Sequence, residues 1–161
     1  MFFGKYDSLQ VSRHFIVKSV REKRPLNHGQ LQNLLYYAQG FYCALHPYPL
    51  FHDRLYANDI GSMVLRVNYE YGKFIYQSIP VNGEHPPNTL LDMADMEFLD
   101  DIWTRFIEEN SEELEHQIRK EAPWKKANLQ SEQLNQPLWS QELMVGEMRK
   151  YFRTHYVQRE D

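Results

Sequence analysis

The side chains best suited to chemistry near neutral pH are seven histidines: His14, His28, His46, His52, His85, His116 and His155. An imidazole changes charge in that range and is a common metal ligand. These seven fall on separate segments. None makes a His-x-x-x-His pair with a nearby glutamate, and none lies at zinc-ligand spacing from Cys43, the single cysteine. His46 and His52 flank a proline turn and lie within reach of each other, but that pattern fits loop histidines better than a metal pair. Glu108, Glu109, Glu112, Glu113 and Glu115 read as the wet face and start of a helix. Asp92, Asp95, Asp100 and Asp101 fall on the polar side of the preceding helix and lack the spacing of a calcium loop. Cys43 as a nucleophile needs an exposed, electropositive setting and a base, whereas its helix phase predicts burial. The sequence contains no Walker loop, no Gly-x-Gly-x-x-Gly and no Gly-x-Ser-x-Gly elbow. It therefore assigns no catalytic, cofactor-binding or metal-ligating residue, and a non-enzyme is expected.

The elements that carry these residues are mostly helical. Apolar residues at Leu31, Leu34, Leu35, Ala38, Phe41, Tyr42 and Leu45 recur at the 3, 4, 7 spacing of one helix face. They predict a central helix that Asn27 or His28 opens and that Pro47 and Pro49 stop. A first helix is predicted over 8–22, capped by Asp7 or Ser8 and ended by Pro25. Alternation over 55–60 predicts a short strand, and Gly61 a turn. Ser62 is expected to cap a helix to about Tyr71, and Lys73–Pro80 to form a second short strand. A loop follows over Val81–Asn88. Asn88 or Thr89 is expected to cap a helix to about Glu109, and Ser111 the next, which ends before Pro123. Residues 123–138 read as a polar linker, and Ser140 as the cap of a last helix to Tyr156. The expected fold is one compact domain over residues 1–161, mainly α with a minor β element: about six helices and two or three short strands.

A chain of 161 residues is long enough to bury a substantial core. Its net charge of −4 argues against a general nucleic-acid binder, which needs a surplus of cations against phosphate. Arg13, Lys18, Arg21, Lys23 and Arg24 still crowd the first helix and its exit, leaving local phosphate contact as a minor alternative. No run approaches the ~18 apolar residues of a membrane span, and Met1–Lys5 does not read as a signal peptide. A cytoplasmic protein without membrane contact is expected.

One set of motifs stands out. Leu31-Gln32-Asn33-Leu34-Leu35-Tyr36-Tyr37-Ala38-Gln39-Gly40 follows Pro25-Leu26 and precedes Pro49-Leu50-Phe51, Ala57, Gly61 and Pro123-Trp124. In this order the motifs resemble the Panacea domain, the antitoxin domain of SocA-like and phage-associated GepA-like proteins, and they span about residues 5–155. The chain resembles a divergent member. It has Asn33 where the family motif usually has lysine, and Asn58 where a tryptophan follows the alanine. Ser62-Met63 replaces Pro-Val, and Ile118-Arg119 replaces a Thr-His pair. The resemblance implies an antitoxin that neutralises a cognate protein toxin by direct contact, phage- or mobile-element-borne. A proteolytic adaptor that hands the toxin to a host protease, or a DNA-associated regulator, is the alternative. The family-motif core is Leu31, Leu34, Leu35, Tyr36, Tyr37, Gly40, Ala57, Gly61, Pro123 and Trp124. Tyr69, Phe74, Tyr76 and Trp139 are the candidate partner-binding anchors, because large aromatic side chains concentrate binding energy at interfaces.

Overall fold

The computed structural model describes residues 4–81 and 91–157. The expectations for Val81–Asn88 beyond Val81 itself, for the Asn88 or Thr89 cap and for His85 lie outside the described residues. The described chain forms α1 (Ser8–Arg21), α2 (His28–Leu45), β1 (Leu55–Ala57), β2 (Ser62–Val64), α3 (Leu65–Tyr71), α4 (Met93–Phe106), α5 (Ser111–Lys120), α6 (Ala122–Leu134), a single 3-10 turn (Leu138–Ser140) and α7 (Val145–His155). The fold is mainly α with a small two-stranded antiparallel sheet.

Both early helices start where the sequence offers a cap. The Asp7 carboxylate accepts the Leu9 amide at 2.8 Å, and the Gln10 side chain accepts the Asp7 amide at 2.9 Å. Asn27 and Gln30 exchange a reciprocal pair of bonds, each side chain accepting the other's amide at 2.9 Å, closing a capping box at the start of α2. The other end of α2 has no basic residue of its own. Arg149 and Arg153 of α7 serve instead: their Nε atoms donate to the Cys43 and Ala44 carbonyls at 2.8 and 3.1 Å. Two guanidinium groups thereby satisfy orphan carbonyls and complement the negative end of the helix dipole.

α2 is the axis of the molecule and touches α1, α3, α4, α5, α7 and β2. Its apolar stripe was expected on one face, but residues 31–44 are buried all the way round, and only Leu45 of the expected stripe stands exposed. Aromatic rings from α4 and α7 pack around it. Tyr37 stacks on Phe106 of α4 with centroids 4.1 Å apart, and Phe41 meets Phe152 of α7 edge to face at 5.2 Å. Such ring pairs add to the free energy of burial.

Several sequence expectations need correction. Ser62 does not cap a helix; it pairs with Ala57 in β2, and α3 starts after Val64 without a side-chain cap. Lys73–Pro80 is not a strand. It runs irregularly across the surface, held where the Phe74 carbonyl accepts the His28 amide (2.9 Å) and the Ile79 amide donates to Leu26 (2.8 Å). α5 is capped by Asn110, whose side chain accepts the Glu113 amide at 3.1 Å, rather than by Ser111. The stretch 123–138 is mostly the helix α6, not a linker. Pro123 stands in its first turn, where a missing N–H leaves no bond broken. The last helix begins at Val145, not Ser140, because Gln141–Leu143 is drawn out alongside β1: the Ala57 amide donates to Gln141 (2.9 Å) and the Leu143 amide to Leu55 (2.8 Å).

Candidate functional site

The motif residues build the interior. Leu31, Leu34, Leu35, Tyr36 and Tyr37 are buried, and Gly40 lies directly under the ring of Phe152. Ala57 is buried in β1, and Gly61 closes the hairpin. The hairpin turn is made by Asn58, whose side chain accepts the Ile60 and Gly61 amides at 3.0 and 2.7 Å. Trp124, half-buried, donates its indole N–H to the Asn58 carbonyl at 3.0 Å, which ties α6 to the hairpin. Pro123 is buried beside it. Asn33 is buried and reaches the Ser111 hydroxyl at 3.1 Å.

Two glutamines of α2, seven residues apart and hence on one face, act as substitutes for backbone. Gln32 accepts the Val64 amide at 2.9 Å and donates to the Val64 carbonyl at 3.2 Å. Gln39 accepts the Leu50 and Phe51 amides at 2.9 and 3.3 Å and donates to the Phe51 carbonyl at 3.0 Å. Each pins an extended segment to the helix without a full strand partner. Nothing in the composition signals this, although buried amides at heptad spacing are its trace in the sequence.

Two buried carboxylates organise the tyrosines. Asp95 was expected on the polar side of its helix, but it is buried. It accepts Tyr6 at 2.6 Å and Tyr42 at 3.1 Å and pairs with Lys5 at 2.7 Å. Burial alone opposes its charge, but the Lys5, Tyr6 and Tyr42 donors outweigh that and hold its carboxyl below the usual range. Glu121, at the junction of α5 and α6, has no exposed surface. Its carboxylate accepts Tyr36 at 2.8 Å, Gln117 at 3.2 Å and also Tyr156. Burial pushes its carboxyl up despite these donors, and burial, helped by the neighbouring Glu121 charge, pushes Tyr151 up to about 12. The contrast follows from partners: Asp95 has an ammonium beside it and Glu121 has only neutral donors.

Four of the described histidines have ordinary structural settings. His14 bonds Asp100 at 2.8 Å, His28 bonds Gln32 at 3.0 Å, His46 stacks on Tyr42 and His155 on Tyr151. Burial pushes the Cys43 thiol up to about 11. No group of three potential metal ligands occurs among the described residues. In the basic stretch of α1, Lys18 pairs with Glu22 and Asp100 at 3.0 and 3.2 Å, and Arg24 pairs with Glu108. Those pairs reduce the positive field that phosphate would meet.

The four candidate anchors separate. Tyr69 and Tyr76 are 89% and 97% exposed, and Trp139 is 70% exposed. Phe74 is not with them: it is half-buried and packs against the core. The turn that presents Trp139 is braced by several bonds. Ser131 donates its hydroxyl to the Gln136 carbonyl (2.6 Å), Ser140 to Pro137 (2.7 Å), and the Gln141 amide group to Gln136 (3.1 Å). Ile75 and Leu65, also exposed, add apolar surface on and after α3. None of the described helices is long and apolar enough to cross a membrane. No family model, curated protein or solved structure matches the chain.

Proposed function

We propose that this chain is a non-catalytic protein-binding domain, an antitoxin-like factor that neutralises a cognate protein toxin by direct contact in the cytoplasm. The observation that carries the reading is the contrast among aromatics. Tyr36, Tyr37, Tyr42, Phe152 and Trp103 are committed to the interior, while Tyr69, Tyr76 and Trp139 stand out into solvent. Large aromatics held on braced backbone lose little freedom on binding and are the usual anchors of protein interfaces. The motif order from Pro25-Leu26 to Pro123-Trp124 supports the antitoxin class and its phage or mobile-element setting.

The experiment is co-expression with the product of the adjacent gene. The expected result is a stable complex on size exclusion and rescue of growth from that product's toxicity. Separate elution of the two proteins, or an adjacent product that is harmless alone, refutes the reading.

A further inference from the structure

Three arginines gather at the C-terminal end of α2. Arg149 and Arg153, one turn apart on α7, donate to the Cys43 and Ala44 carbonyls, and Arg149 also reaches the His46 carbonyl at 3.4 Å. Arg105, in the last turn of α4, lies over the ring of Phe41, its guanidinium carbon 4.8 Å from the centroid. The same group is 5.4 and 5.6 Å from the Phe106 and Tyr156 centroids. Phe41, Ala44 and Leu45 share a face of α2 by their spacing, and Tyr156 is one turn beyond Arg153. The arginines of α4 and α7 therefore border one patch, which includes the exposed side chain of Leu45.

Capping explains the donors but not the charge. The C-terminal end of a helix carries about half a unit of negative charge, whereas these side chains bring three positive ones. Their contacts are carbonyls and rings, which are neutral. Among the described residues none of the three has an ion-pair partner. Arg105 and Arg153 are nevertheless exposed. Each guanidinium is also held in place, Arg105 by the aromatic faces and the other two by their bonds to α2. A planar fork fixed in advance loses little freedom when an anion docks on it.

Arginine forks match carboxylates and phosphates alike. The footprint here favours carboxylates on a polypeptide. A nucleic-acid backbone needs a longer track of cations, but Asp101 and Glu109 stand exposed one turn to either side of Arg105, and the whole chain carries −4. Building on the protein-binding reading above, we propose that this arginine cluster docks a short acidic segment of the partner polypeptide. Carboxylates of that segment bind Arg105 and Arg153, and an apolar residue between them covers Leu45.

The probe is a capped, labelled peptide with one leucine flanked by glutamates, titrated by fluorescence anisotropy at low ionic strength. The expected result is saturable binding that weakens with added salt and falls about tenfold or more with Arg105→Glu. Arg21→Glu reverses an exposed charge on α1 and should keep the wild-type affinity. Absence of binding, equal losses in Arg105→Glu and Arg21→Glu, or tighter binding of an oligothymidylate of the same charge overturns the proposal. A variant ending at Val157 that binds the peptide about tenfold more tightly also overturns it, because the chain's own Glu160 and Asp161 would then be the occupant. If Arg105→Glu fails to fold, Arg153→Gln decides the matter: it should weaken the peptide severalfold, and undiminished binding refutes the site. Complex formation with the adjacent gene's product, measured on the same variants, separates the two readings. A complex untouched by Arg105→Glu and Arg153→Gln refutes this docking site and leaves the antitoxin reading standing. Peptide binding that follows the expected pattern, without any such complex, does the reverse.

Discussion

Gly40→Ala should destabilise this protein although the position is in mid-helix. In an open helix the change stabilises by up to ~1 kcal/mol, because alanine loses less backbone freedom on folding. Here the new methyl would lie well inside van der Waals distance of the Phe152 ring tip. The ring cannot swing away. It is fully buried and flanked by Tyr36, Tyr37, Phe41, Tyr151 and Tyr156. Overpacking of such a core costs about 1–3 kcal/mol even after partial relaxation. The expected net loss is about 1–2 kcal/mol, which in a chain of this size lowers the melting temperature by roughly 2–8 °C. Urea unfolding followed by circular dichroism measures it. Phe152→Leu removes the ring tip, so the double variant should recover part of the loss, with a coupling of about 0.5–3 kcal/mol between the two sites. Gly146→Ala is the control: nothing lies near its Cβ, so the same substitution should stabilise by up to ~1 kcal/mol. Gly40→Ala as stable as the wild type, or no coupling to Phe152, would refute the account of α2 as a helix packed on all sides.

Four further outcomes are expected. Glu121 has its folded pKa raised above the ordinary 4.5, so the folded state binds the proton more tightly than the unfolded chain. Its contribution is fully present below about 4.5 and is lost as pH rises through the folded value. Glu121→Gln should therefore gain stability relative to the wild type between acid and neutral pH, as melting curves across that range will show. Glu121→Ala leaves the Tyr36, Tyr156 and Gln117 donors unpaired and should cost about 2–4 kcal/mol at any pH; a loss under 1 kcal/mol contradicts the network. Gln39→Ala strips partners from the Leu50 and Phe51 backbone and should cost about 2–3 kcal/mol, with faster hydrogen exchange confined first to those two amides. Tyr76→Ala and Trp139→Ala should each change stability by no more than about 0.5 kcal/mol. If either residue anchors the toxin, the same change weakens the complex by about 2 kcal/mol or more in a titration.

Much of the secondary structure was legible because its causes are local. The Asp7 and Asn27 caps, the long α2 and the β1 strand follow from side chains within a few residues of each other. The misreadings also have local sources. Pro123 suggested a break, but at the first turn of a helix proline is neutral, and the polar run after it is the wet face of α6 with Ala127 turned inward. Ser62 offered a cap, but the Asn58 turn folded it back onto Ala57 instead. Asp95 carried the spacing of an exposed carboxylate and is buried because Lys5, Tyr6 and Tyr42 converge on it from elsewhere. For the candidate site, Tyr69, Tyr76 and Trp139 were named from residue type alone, and they are exposed. Phe74 was named on the same grounds, yet its ring packs inward, beside a backbone carbonyl that opens α2. The gathering of Arg105, Arg149 and Arg153 at the end of α2 left no trace in the sequence, since they come from two other helices far along the chain.

The sequence by itself determined where the first two helices begin, that a tyrosine-rich helix must be covered, and that the fold is mostly α. Those are consequences of periodicity and of hydrogen bonds between near neighbours. Only the tertiary structure decided that α2 is enclosed on every side, that Gln32 and Gln39 stand in for strand partners, and that Glu121 carries no compensating cation while Asp95 does. Each of these depends on which distant side chain arrives at a given surface, and chain spacing does not encode that until the helices have packed.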